Sequence, residues 1–165
     1  MSTLVTVNIE IKSYLQKFLI SKSKNKVIPL RFPNRHDYNI LLIRLVTNYN
    51  SLKEIPVKDR ENVLDFFHMS KQETTGKGVS IILPFNDRKN ILSYNYLSVR
   101  AKQKFRKEVR IDFNFEFSRY LYRNLKAGKQ RIEIVNEFKC LHNITEDDLK
   151  SESLYRYSSR LLEEM

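Results

Sequence analysis

Residues 97–125 read LSVRAKQKFRKEVRIDFNFEFSRYLYRNL, and two apolar stripes at i+4 spacing run through them. The first is Leu97, Ala101, Phe105 and Val109; the second is Phe113, Phe117, Leu121 and Leu125. Spacing of four keeps side chains on one side of a helix, whereas a strand needs a spacing of two. Gly128 suits the C′ position that ends the second stripe. A third stripe follows at Ile132, Val135, Phe138 and Leu141, and Leu154, Tyr157 and Leu161 line a last helix. Thr145, with Asp148 three residues on, has the spacing of a capping box, with Asp in place of Glu. The C-terminal half is expected to be a helical bundle.

Working toward the N-terminus, the period changes. Val5, Val7 and Ile9 alternate as on a strand, and Tyr14, Leu15, Phe18 and Leu19 form a short amphipathic helix. A polar basic loop, residues 21–26, leads to an extended stretch, residues 27–32, whose prolines suit an edge strand. Asn34 is placed to cap a helix carrying Tyr38, Leu41, Leu42, Leu45 and Val46. Residues 50–60 read as a loop, 63–69 as a short helix and 72–78 as a flexible segment. Residues 79–85 read as a strong third strand, stopped by Pro84 and the polar turn 86–90. The expected fold class is α+β: a small N-terminal three-stranded sheet with helices, then a helical bundle that admits a helix-turn-helix. The expected division is 1–90 and 91–165, and a single domain is the other option.

The chain has 165 residues, of which 41% are hydrophobic, enough to bury a core in one ordinary domain or two small ones. No 18-residue apolar run occurs, so no spanning helix is expected, and no signal-peptide pattern is present. One cysteine, Cys140, cannot form an internal disulfide. A cytoplasmic location in a bacterial cell is the expectation.

The formal net charge is +11, unevenly spread. Residues 1–90 carry 15 basic and 8 acidic side chains, residues 91–144 carry 12 and 5, and residues 145–165 carry 3 and 6. Positive charge is densest between 91 and 144. Arg100, Lys102, Lys104, Arg106, Lys107 and Arg110 crowd eleven positions with one acid, Glu108. Such a helix tracks phosphates, because Lys and Arg release condensed counterions from a nucleic acid; a solvated face that only aids solubility is the other reading. Arg119, Arg123 and Lys126 share one helix side, and Lys129 and Arg131 open the next helix. Cations are unfavourable at a helix N-terminus, and a bound anion would reverse that penalty.

Three resemblances bear on the partner. Gly128, Ile132–Leu141, Ile144-Thr145 and Leu154-Tyr155-Arg156-Tyr157 resemble a helix-turn-helix over about 35 residues. That resemblance implies that Ser153, Tyr155, Arg156, Ser159 and Arg160 face a groove, with Arg156 and Arg160 reaching bases. An acidic insertion, Glu146-Asp147-Asp148-Leu149-Lys150, lengthens the turn, and a plain three-helix bundle accounts for the same pattern. Residues Val5–Ile11 followed by Tyr14–Leu19 resemble the start of a ribbon-helix-helix repressor, which implies a base-reading face of Thr6, Asn8 and Glu10; an ordinary edge strand is the competing assignment. Arg31-Phe32-Pro33 leading into Tyr38-Asn39 and Leu41-Leu42, with Ile144–Asp148 leading into Tyr155-Arg156-Tyr157, is similar to a group of small basic proteins of Bacteroides-type phages and mobile elements. This last resemblance implies an origin and carries no catalytic residues.

An enzyme is not expected. Three glycines leave little material for a nucleotide-binding loop. His36, His68 and His142 lack a second ligand at metal spacing, and Asp59-Arg60-Glu61 and Asp147-Asp148 fit caps and turns better than a metal-dependent nuclease. No metal and no cofactor are expected. The functional expectation is a non-enzymatic DNA-binding protein, a phage or mobile-element transcriptional regulator, with DNA ahead of RNA and homodimerisation left open. The alternative is a virion or protein-interaction component with a basic surface. Within the run Phe113, Phe115 and Phe117, Phe115 points away from the other two and is the residue to suspect of exposure.

Overall fold

The structure is a computed structural model, and it describes residues 5–48, 78–84 and 94–164. The expected loop at 50–60, helix at 63–69, turn at 86–90 and the Asp59–Glu61 acids lie outside the described residues, as does nearly all of the 72–78 segment. Among the described residues the chain is mixed helix and strand. The elements are β1 (Thr6–Glu10), α1 (Ser13–Lys22), α2 (Asp37–Leu45), β2 (Thr47–Asn48), β3 (Gly78–Ile82), β4 (Tyr94–Tyr96), α3 (Val99–Lys126), α4 (Arg131–Leu141) and α5 (Ser151–Glu163). They divide into two compact units. Unit 1 holds residues 1–11 and 22–107, and unit 2 holds residues 12–21 and 108–165.

In unit 1, β1 and β3 pair antiparallel from Thr6↔Ile82 to Glu10↔Gly78. Val5, Val7 and Ile9 are buried while Asn8 and Glu10 are exposed, the alternation expected of a half-covered strand. The expected edge strand, 27–32, contracts to one residue. Leu30 alone bridges Ile81, donating its N–H to Ser80 O and accepting from Ile82 N, both at 2.8 Å. Pro29 has no N–H to give to a ladder, and Asn25 folds the preceding residues into a loop. Its Nδ2 donates to Val27 O and Pro29 O, and its Oδ1 accepts from Arg31 N. Among the described residues the sheet therefore has two strands and a bridging residue.

Helix α2 starts later than the Asn34 cap implies. Pro33 O accepts from His36 N in a turn, and His36 caps the helix, its Nδ1 accepting from Tyr38 N at 3.2 Å. A second, short pairing of β2 with β4 places residues 94–96 in a strand, inside the 91–165 stretch expected to be helical. Tyr38 packs on Phe32 and Phe105 in the unit 1 core, with centroids 5.2 and 5.7 Å apart.

The first two stripes lie on one 28-residue helix, α3, since no Gly or Pro interrupts residues 99–126. Ala101, Phe105, Val109, Phe113, Phe117 and Leu121 are all buried. Each i+4 step advances about 40° around the axis, so the buried line winds along the helix instead of holding one straight face. Gly128 closes the helix with φ +83° in a Schellman arrangement: Lys129 N donates to Asn124 O and Gly128 N to Leu125 O. Asn143, φ +54°, repeats this geometry after α4, with Ile144 N donating to Lys139 O and Asn143 N to Cys140 O. Asn is the residue after Gly that tolerates this region.

In unit 2 the core is aromatic. Tyr14 and Phe18 meet Phe113 edge-on at 5.1 and 5.3 Å. The Phe138 ring contacts Phe113, Phe117, Tyr120 and His142 at 4.7–5.6 Å. The third stripe is displaced from its expected place. Ile134, Val135 and Phe138 are buried, but Ile132 and Leu141 are exposed. At 100° per residue those two fall just outside the edges of the buried arc.

Candidate nucleic-acid interface

Every residue of α3 is described, so its surface charge can be read in full. Arg100, Lys104, Lys107, Arg110, Arg119, Arg123 and Lys126 are exposed, whereas Glu108, Asp112 and Glu116 are only half-buried positions. Every exposed charged side chain on this helix is a cation. Lys102 and Arg106, from the same basic run, are half-buried. Three large apolar side chains of α3 are exposed, Val99 at its first position and Ile111 and Phe115 among the cations. The Arg119 guanidinium lies over the Phe115 ring, 5.8 Å from its centroid. Phe115 was legible as an outward residue; Ile111 was missed, although its i+4 relation to Phe115 puts it on the same outward ridge.

The remaining basic candidates are engaged by the chain itself. Lys129 Nζ donates to both oxygens of Glu137, at 2.8 and 2.7 Å, and Tyr120 Oη donates to Glu137 Oε2 at 3.0 Å. The Lys129 hydrogen bond, followed by that of Tyr120, lowers the Glu137 pKa, and Lys129 is raised in turn. Arg131 donates to Ser159 Oγ at 3.1 Å. The start of α4 already holds an anion, since Glu133 Oε2 accepts from Gln130 N at 3.2 Å in a capping box. The anion expected there from the sequence is a carboxylate of this chain.

Helix α5 presents a mixed face. Glu152, Arg156, Arg160 and Glu163 are all exposed, and Arg156 pairs with Glu152 at 2.5 Å. Nine residues separate α4 from α5, against three or four in a tight helix-turn-helix. Thr145 and Asp148 do bond, but in one direction: Asp148 Oδ2 accepts from both the Thr145 amide, at 2.8 Å, and its hydroxyl, at 2.7 Å. The pair closes one turn, with Leu149 N donating to Thr145 O, and α5 begins only at Ser151.

Two of the three acids in the insertion, Glu146 and Asp148, are paired with lysines of this chain. Lys139 is buried, and its ammonium donates to Glu146 Oε1, Leu149 O and Ser151 Oγ, using all three protons. Lys17 donates to Asp148 Oδ2 at 2.5 Å. The Lys139 bond, then two from Ser151, lower the Glu146 carboxyl from its ordinary 4.5 to about 2. At Asp148 partial burial disfavours the charge, but bonds from Lys17, Thr145 and Ser13 outweigh it and hold the pKa below the usual carboxylate range. Both groups are depressed in the folded state, so their stabilisation is present at neutral pH. It begins to be lost as pH falls through the unfolded value near 4.5 and continues to decline to about 2. The double variant Glu146→Gln, Asp148→Asn is expected to be less stable than the wild type at pH 7. Denaturant titrations at stepped pH should show that gap closing below pH 4; a gap independent of pH would contradict the pairing.

Ser21, His142 and Glu116 meet in unit 2, a grouping with no signature in the sequence. His142 Nδ1 is 2.7 Å from Ser21 Oγ and Nε2 is 3.5 Å from Glu116 Oε1. A serine, histidine and carboxylate in line invite comparison with a nucleophilic triad. Here, however, Ser21 Oγ donates its hydrogen to Phe18 O at 2.7 Å. The Phe18 carbonyl thus competes with Nδ1 for the single hydroxyl hydrogen, whose transfer to the imidazole is the step that activates a serine. The group joins α1, α3 and α4.

On the strand face expected of a ribbon-helix-helix, Asn8 and Glu10 are exposed, and the strand's partner is another strand of the same chain. β1 pairs with β3, and Asn8 Oδ1 accepts from Ser80 Oγ. Among the described residues no cluster of three or more His, Cys, Asp or Glu has metal-binding geometry, and no helix is long and apolar enough to cross a membrane. No family model, curated protein or solved structure matches this chain.

Proposed function

We propose that the protein is a non-catalytic nucleic-acid-binding protein that grips phosphates with α3. The observation that supports this reading is the excess of one sign on the helix surface, seven exposed cations against three acids that are all half-buried. Exposed helices ordinarily mix signs, since opposite charges at i+4 stabilise and like charges repel. A polyanion relieves that repulsion and gains counterion release. DNA is the first partner to test and RNA the second, because phosphate contacts do not distinguish the sugars. Regulation of phage or mobile-element genes in a bacterial cytoplasm is the setting we favour. The mixed charge of the α5 face argues against base reading by Arg156 and Arg160, so binding should be largely tolerant of sequence.

Fluorescence anisotropy of random-sequence duplex DNA across a salt series tests this directly. Each phosphate contact contributes about 0.9 to the fall of log K with log salt. Seven contacts set an upper slope of about −6. Absence of binding at about 50 mM salt would remove the reading, since electrostatic binding is strongest there. The second reading, a virion or assembly component, is favoured by the exposure of Phe115. A closed, concentration-dependent high-order oligomer would select it.

A further inference from the structure

We propose that the ridge Ile111, Phe115, Arg119 and Arg123 on α3 is a base-stacking strip for single-stranded nucleic acid. This assignment rests on the phosphate-binding reading of the same helix and names the strand form it takes. The four residues follow at i+4, about 6 Å apart along the axis, and all belong to unit 2. Ile111 is 51% exposed and Phe115 is 60% exposed, two large apolar groups on a surface otherwise rich in cations. A helix mid-section holds them rigidly, and the Arg119 guanidinium over the Phe115 ring restrains that side chain further.

The charge around the pair decides what covers it. A second copy packed ridge to ridge would set Arg119 and Arg123 against their own duplicates, a repulsive match, since the nearby Asp112 and Glu116 are half-buried and already engaged within the chain. A duplex satisfies the cations but keeps its bases stacked inside, leaving Phe115 in water. A single strand offers both partners at once, phosphates for Arg119 and Arg123 and an unstacked base for the ring. Aromatic platforms flanked by cations are how sequence-tolerant single-strand binders work.

The test compares three labelled probes by anisotropy: oligothymidylate of about 16 nucleotides, an abasic strand of equal length, and a duplex. The wild type is expected to bind oligothymidylate more tightly than either of the others. Phe115→Ala should weaken oligothymidylate binding about 5- to 150-fold, the range of one lost stacked base. Abasic and duplex binding should be unchanged, which also shows that the variant is folded, and Phe115→Trp should restore affinity. If Phe115→Ala leaves oligothymidylate binding intact, the strip is refuted while the phosphate reading stands. If none of the three probes binds, the phosphate reading itself falls and takes the strip with it. If the wild type sediments as a dimer that Phe115→Ala makes monomeric, with nucleic-acid affinity unaltered, the patch covers a second copy and the proposal is overturned.

Discussion

Phe138→Ala is expected to destabilise the protein by about 3–5 kcal/mol, the range for truncating a fully enclosed phenyl ring. Phe138 is 1% exposed and touches four other rings, from Phe113, Phe117, Tyr120 and His142. Three of those partners stand on α3 and the fourth ends α4, so the rings around a cavity here are fixed by helix backbones. Collapse to fill it would require moving a helix, and the cavity should remain largely open. Each edge-to-face contact adds something beyond area burial. Phe138→Leu keeps most of the volume and should cost much less. Guanidinium titrations followed by helical ellipticity give both values. A loss under about 1 kcal/mol for the alanine variant would mean the ring is not packed as described.

The combined reversal Lys104→Glu, Arg110→Glu, Arg119→Glu, Arg123→Glu should carry the largest effect on binding. All four side chains are exposed, so the variant should keep its circular dichroism spectrum. Four lost phosphate contacts remove about 3.6 from the salt slope, worth about 150-fold between 50 and 200 mM salt. The new carboxylates add repulsion to that loss. Lys102 and Arg106 are poor positions for the same experiment. Both are half-buried, and reversal there would confuse binding with the desolvation of a new charge. Replacing Lys129 should change the slope little, because the Glu137 carboxylate already pairs with it. Duplex binding and slope unchanged in the fourfold variant, with its helix content intact, would move the phosphate contacts off α3.

The helices were legible because helical period and termination are local properties. The i+4 stripe of residues 101–121 and the positive φ of Gly128 depend on side chains and backbone within a few turns of each other. The abundance of cations between 91 and 144 was equally plain. Which of them stay exposed was not: Lys102 and Lys104 are neighbours in the same run, and only the second is exposed. The third stripe shows the same limit, since Ile132 and Leu141 fit the period and yet lie outside the buried arc.

By itself the sequence determined the mixed helical and strand character, the long apolar stripe, the Schellman stop and the sign of the charge. The tertiary structure alone decided that the 27–32 segment pairs through Leu30 only, that residues 94–96 join a strand, and that Glu146 and Asp148 are neutralised by Lys139 and Lys17. It also decided that Ser21, Glu116 and His142 meet. The physical reason is separation along the chain. Lys17 and Asp148 are 131 residues apart, and no periodicity within one segment encodes which distant group the folded chain brings to its side.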